Sequence, residues 1–104
     1  MDPILKTSIG ALHELREQIA SKARLLAERE LDGRVLRLTV ETELRTAGQT
    51  QTAAEKNAKV AERYLAHERE SIRVTFDRAL LEADAEAALL DLRLEIASLE
   101  QAAV

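Results

Sequence analysis

The sequence contains no cysteine and no tryptophan, and it has one proline, three glycines, one phenylalanine and one tyrosine. Without cysteine the chain forms no disulfide and no thiolate metal site. An aromatic share of 2% cannot supply the large rings around which a thick globular core is built. The shortage of glycine and proline leaves few places for turns. What remains is rich in Ala, Leu, Glu and Arg, which is typical of long helices and coiled coils.

The sequence also lacks a basic-then-apolar signal segment at its N-terminus and a run of about 18 apolar residues. We therefore expect a soluble cytoplasmic protein that makes no membrane contact. Its net charge of −4 is unevenly spread, because residues 77–104 hold two arginines against seven acidic residues. This acidic segment repels phosphate and disfavours a general nucleic-acid surface.

Apolar residues in the first half of the chain recur every three or four positions, which is typical of a helix that packs along a narrow stripe. Asp2 suits the cap and Pro3 the first turn, so we predict helix 1 over about 3–46. Residues 33–42 also alternate like a strand after the turn signal Asp32-Gly33. Helix is favoured there because no other segment offers a pairing strand. The repeating residues are Leu5, Ile9, Leu12, Leu15, Ile19, Ala23, Leu26, Gly33, Leu36, Val40 and Leu44.

Residues 47–51 form the predicted loop, with Gly48 as the C-terminal stop of helix 1. Thr52 and Glu55 have the spacing of a capping box, which predicts helix 2 over about 52–102, with no glycine or proline inside it. The repeat continues in helix 2. Its members are Ala54, Ala58, Ala61, Leu65, Ile72, Phe76, Leu80, Ala83, Ala87, Leu90, Leu94 and Ala97.

Two long helices joined by a short loop predict an all-α antiparallel hairpin that forms a single unit over residues 1–104. If facing positions sum to about 98 or 99, small residues face large ones: Ala23 faces Phe76, and Gly33 faces Leu65. The polar interruptions then coincide, so we expect Glu30 and Arg69 to form the ion pair that sets the register. Two solvated edge positions are the alternative.

A second apolar stripe runs beside the first along the C-terminal half of helix 2. A lone hairpin would leave this stripe exposed to water, whereas further helices would cover it. We therefore expect a homo-oligomer, a dimer or larger, assembled as a four-helix bundle or a larger bundle. The predicted interface residues are Leu81, Ala85, Ala88, Leu92, Ile96 and Leu99.

Signals of catalysis or metal binding are weak. His13 and His67 are each followed by Glu, but neither has the second histidine of a helical zinc motif, and both are expected to be exposed. There is no glycine-rich phosphate loop and no nucleophile elbow. We expect no enzyme activity, no cofactor and no metal. A weaker possibility is nucleic-acid contact through Arg63, Arg69 and Arg73, although glutamates are interspersed with them.

The stretch from Thr52 to Leu65, with its Thr-x-x-Glu start, alanine-spaced turn and Tyr64, resembles small helical-hairpin proteins encoded by bacteriophages and prophages. The likeness covers about residues 36–100. In those proteins a proline often precedes the tyrosine. Here Glu62-Arg63 occupies that place, which leaves open a kink near Tyr64. The resemblance implies a phage or prophage setting and assigns no functional residue.

These features predict a non-enzymatic helical interaction or assembly protein that acts through self-association along its apolar stripes. Two alternatives belong to other classes. One is an accessory protein of phage DNA replication or recombination, and the other is a small adaptor or inhibitor that binds a host protein.

Overall fold

The structure is a computed structural model that describes residues 2–103, and those residues are helical with no strand. Helix α1 spans Pro3–Thr46, α2 spans Gln51–Val60, and α3 spans Glu62–Ala102. The all-α prediction is confirmed, and residues 33–42 are helix rather than strand. The expected second helix is two helices, α2 and α3. No helix in the described range has the length and apolar character needed to cross a membrane.

The chain divides into two compact units, where the sequence predicts one. Unit 1 combines the start of α1, up to Ala23, with α3 from Phe76 onward. Unit 2 spans Arg24–Thr75 and holds the rest of α1, all of α2 and the first turns of α3. In each unit a side-chain bond joins α1 to α3: the Ser8 hydroxyl donates to the Glu95 carboxylate in unit 1, and Arg29 Nε donates to the Ser71 hydroxyl in unit 2.

The ends of α1 form as the sequence predicts. The Asp2 carboxylate accepts hydrogen bonds from the backbone N–H groups of Ile4 and Leu5, at 2.8 and 3.3 Å. These bonds satisfy two donors that have no partner inside the helix. At the other end Gly48 has φ +102°, a left-handed conformation that suits a residue without a side chain. Its N–H donates to the Arg45 carbonyl at 3.0 Å, which closes the helix in a Schellman turn.

The threonines of the strand-like stretch of α1 form hydrogen bonds inside the helix. The Thr39 hydroxyl donates to the Val35 carbonyl at 2.8 Å, and the Thr42 hydroxyl donates to the Leu38 carbonyl at 2.9 Å. These bonds to the fourth residue back satisfy the hydroxyls without an alternative backbone conformation. The alternation in this stretch therefore does not indicate a strand. Gly33 and Val40, seven residues apart, are both buried, as expected for one face of a helix.

The capping box predicted at Thr52 is wrong. Thr50 is the cap: its backbone is extended, and its hydroxyl accepts a hydrogen bond from Ala53 N at 3.2 Å. Helix α2 therefore begins at Gln51, and Glu55 bonds to the Gln51 amide at 2.6 Å rather than closing a box. Because the turn at Gly48 ends before Thr50, Thr50 rather than Thr52 caps α2.

The single helix 2 predicted over about 52–102 is divided in two, because Ala61 is extended, with φ −63° and ψ 137°. The kink left open near Tyr64 is therefore a break three residues earlier. The Ala61 N–H donates to the Ala58 carbonyl at 3.3 Å and closes α2, while its own carbonyl accepts from Leu65 N at 3.0 Å and begins α3. No proline or glycine marks this break. Before the break, Ala54 and Ala58 are completely buried in unit 2. After the break, Glu62 lies in the first turn of α3, where a negative charge is favourable.

The corrected cap can be tested with two matched substitutions. Thr50→Ala removes the acceptor for Ala53 N and should lower the free energy of unfolding by about 1 kcal/mol, whereas Thr52→Ala should change it by less than about 0.5 kcal/mol. Urea denaturation followed by circular dichroism measures both. A larger loss of unfolding free energy from Thr52→Ala than from Thr50→Ala would show that Thr52 is the cap.

Candidate functional site

The inward stripe of α1 follows the predicted phase. Leu12 in unit 1 and Val40 in unit 2 are buried. Ile9 departs from the prediction and is largely exposed. The stripe is otherwise confirmed, and its half-buried members are Leu5, Leu15, Ile19, Ala23, Leu26, Leu36 and Leu44.

On α3 the two apolar stripes exchange the roles that the sequence assigns to them. Leu92, predicted to lie in an oligomer interface, is only 9% exposed. Leu81, Ala85 and Ala88 are half-buried, so this face packs against α1 inside unit 1. The expectation that a hairpin would leave this stripe open to water is therefore wrong. Of the six predicted interface residues, Ile96 and Leu99 remain exposed.

The stripe predicted to face α1 lies on the surface instead. In unit 1 Phe76 is 64% exposed and Leu94 61% exposed, and in unit 2 Ile72 is 66% exposed. The predicted pairing of Ala23 with Phe76 is therefore wrong. We call the exposed stripe of unit 1 the outer stripe. It consists of Phe76, Leu80, Ala83, Ala87, Leu90, Leu94 and Ala97.

The break at Ala61 changes the phase within unit 2. Each helical residue turns the chain by about 100°, so a single residue outside the helical conformation interrupts the stripe that precedes it. Leu65, which continues the phase of Ala54 and Ala58, is exposed, whereas its neighbour Tyr64 is half-buried.

In unit 2, Gly33 of α1 lies close to α3 and faces His67 rather than the predicted Leu65. A Cβ atom placed on Gly33 would lie 3.0 Å from His67 Nε2. That nitrogen is 2.8 Å from the Arg29 carbonyl oxygen and can donate to it. The prediction that His67 is exposed is therefore wrong: it is half-buried and joins the two helices.

Arg29 completes this contact from the opposite direction. Its Nε donates to the Ser71 hydroxyl at 3.1 Å, and its Nη2 donates to the His67 carbonyl at 3.1 Å. Arg37 and Tyr64 line an open cleft beside these bonds. The cluster links the helices through polar bonds, and its Ser71 hydroxyl donates to the His67 carbonyl oxygen at 3.1 Å rather than to the imidazole ring.

Glu30 and Arg69, the predicted register pair, do not bond to each other. Glu30 accepts from Arg34 at 2.9 Å within α1, and Arg69 bonds to Glu62 within α3. Both pairs are exposed, and such pairs contribute little to stability. Near the position along α1 where Glu30 was expected to reach Arg69, buried Gly33 contacts His67 instead, and this contact joins α1 to α3.

The arginines proposed for nucleic-acid contact are each paired with a carboxylate. Arg63 bonds to Glu43, Arg69 to Glu62, and Arg73 to Glu70 at 3.4 Å. A phosphate would have to displace these carboxylates. The geometry therefore adds no support to the nucleic-acid alternative.

His13 lies on the exposed side of α1, where its Nε2 is 3.1 Å from Glu17. Among residues 2–103, no group of three or more His, Cys, Asp or Glu side chains could hold a metal ion. Comparison with protein-family models, with curated protein sequences and with solved structures gives no match. The outer stripe, an apolar surface without a partner in the described part of the chain, is the candidate functional site.

Two glycine substitutions test the close contact at Gly33. Gly10→Ala should stabilise the protein by about 0.5–1 kcal/mol, because its Cβ meets nothing within 4 Å and alanine favours helix. Gly33→Ala gains the same helix preference but presses on the His67 ring, so it should be neutral or destabilising. Urea denaturation measures both.

In a His67→Ala background, Gly33→Ala should recover the gain seen at Gly10. If Gly33→Ala stabilises the otherwise wild-type chain as much as Gly10→Ala does, the close approach is wrong.

Proposed function

We propose that the protein is a non-enzymatic helical interaction and assembly protein, and that the outer stripe of α3 is its binding surface. The proposal includes the antiparallel hairpin of α1 with α2 and α3 as the scaffold that presents this stripe. One observation carries it: seven successive apolar positions keep the spacing of a coiled-coil seam and are all exposed.

The outer stripe has the form that a partner helix needs. Its spacings of 4, 3, 4, 3, 4 and 3 residues, from position 76 to position 97, keep one helix face over three heptads. Single exposed leucines are common on protein surfaces, whereas a continuous apolar stripe of this length is not. Ala83 and Ala87 leave space at its centre, between the larger pairs Phe76 and Leu80 on one side and Leu90 and Leu94 on the other.

The size of the stripe favours reversible binding. Its four large side chains are each at least 52% exposed. At roughly 100 Å² apiece they offer on the order of 400 Å² of apolar surface. A pair of such stripes would bury about 800 Å², which lies below the usual range of permanent interfaces. We therefore expect association that depends on concentration, and a homo-oligomer of this kind is the simplest assembly.

A phage or prophage setting, suggested by the resemblance of the stretch around Tyr64, is compatible with such a role. Small adaptor and inhibitor proteins act by the same physical means, an apolar helix face that binds another helix. This second candidate is favoured by the limited area of the stripe, since a permanent oligomer would require more.

Self-association through the outer stripe predicts a mass that rises above 11.6 kDa with concentration. The double variant Leu90→Glu with Leu94→Glu should remain a folded monomer at every concentration, because it places charges on the stripe. Light scattering behind a sizing column measures the mass, and circular dichroism monitors folding.

The matched control is Leu31→Glu with Leu38→Glu, since these leucines of α1 are 62% and 57% exposed and lie outside the stripe. The control should associate like the wild type. Equal loss of association in both variants would show that the outer stripe is not the surface used.

A further inference from the structure

This inference rests on the proposed function and concerns the partner of the outer stripe. One edge of the stripe carries Asp77, Asp84 and Asp91, spaced seven residues apart. The opposite edge carries Ala79, Glu86 and Arg93 at the same spacing. These are the positions that flank a coiled-coil seam and select its partner. One edge is uniformly acidic, and the other has no net charge.

The aspartates of this edge are not neutralised inside the chain. Among the ion pairs of the described residues, none includes Asp77, Asp84 or Asp91. Asp84 and Asp91 are exposed, and Asp77 is half-buried. By contrast, Arg78 on the inner side of α3 is paired with Glu82 at 2.9 Å. The negative charge along the stripe is therefore available to a partner.

A second copy of the chain matches this edge poorly in either direction. In a parallel pair, Glu86 of one copy would lie beside Asp91 of the other. In an antiparallel pair each edge faces its own counterpart, so aspartates of the acidic edge of one copy would lie beside aspartates of the other. Each like-charge contact opposes association, so the copies bind each other only weakly.

We propose that the preferred partner of the outer stripe is an amphipathic helix of another protein with lysine or arginine along the edge of its apolar seam. Its basic side chains would pair with Asp77, Asp84 and Asp91. Bulky apolar side chains would fill the space above Ala83 and Ala87, where the stripe has only methyl groups. Attraction to this partner and repulsion between copies then come from the same three carboxylates.

Two synthetic helical peptides serve as probes. Both have leucine at every seam position; one has lysine at every flanking position and the other has glutamate. Fluorescence anisotropy with labelled peptide and the full chain measures binding. The lysine peptide should bind at least about tenfold more tightly than the glutamate peptide, as expected for several charge pairs. Added salt should weaken this binding, whereas it should strengthen self-association of the chain.

Charge reversal at the edge provides the decisive variant. Asp84→Lys with Asp91→Lys should remove the preference for the lysine peptide or reverse it. Glu14→Lys with Glu17→Lys is the matched control: it makes the same change in net charge on exposed positions of α1 in unit 1 and should keep the preference. Circular dichroism establishes that both variants are helical.

Equal binding of the two peptides, or an equal effect of the two charge-reversed variants, would overturn the inference and indicate attraction by net charge alone. If neither peptide binds but Leu90→Glu with Leu94→Glu abolishes self-association, the proposed function stands and the partner inference fails. If neither peptide binds and the chain is monomeric at all concentrations, both fail.

Discussion

One constraint shapes α3: only one of its two apolar faces can pack against α1. The helix carries two neighbouring apolar stripes with almost the same spacing, and each could fill that place. In unit 1 the stripe containing Leu92 lies inside and the stripe containing Leu90 lies outside. The surface available to a partner is therefore the apolar face that packing against α1 leaves uncovered.

The packing in unit 2 combines small residues with polar bonds. Ala54, Ala58 and Gly33 let backbones approach closely, and His67 bonds to a backbone oxygen across that approach. Among residues 2–103 no large side chain is fully buried, which agrees with a chain almost free of aromatic residues. Specific polar contacts at a glycine can fix the position of one helix along another where a leucine seam alone would tolerate slippage.

Much of α1 could be predicted from sequence, and the features of α3 that matter most could not. Asp2, Gly48 and the repeat through Leu12 and Val40 depend on local rules of capping and periodicity, and those rules hold. The break at Ala61 has no local marker, since alanine favours helix and neither proline nor glycine is near. Periodicity cannot choose between two stripes with equal spacing. His67 was assigned to the surface because its contact is made with a residue far away in sequence.

The cap at Thr50 illustrates the same limit on a smaller scale. Two threonines lie two residues apart, and the one followed by a glutamate at the right distance has the better motif. The turn at Gly48 nevertheless ends in time for the earlier threonine, and the glutamate bonds elsewhere. A motif marks where a helix can begin, and the geometry of the preceding turn decides where it does.

The most direct test of which α3 face is outside uses the absence of native cysteine. A single cysteine replaces Leu90 in one variant and Leu92 in another, and the rate of reaction with a thiol reagent is measured at high dilution, where copies are apart. The structure predicts that Leu90→Cys reacts nearly as fast as an unfolded peptide, whereas Leu92→Cys is protected by at least about tenfold. Faster reaction at position 92 than at position 90 would contradict the account, because the stripe assigned to the core would then be the exposed one.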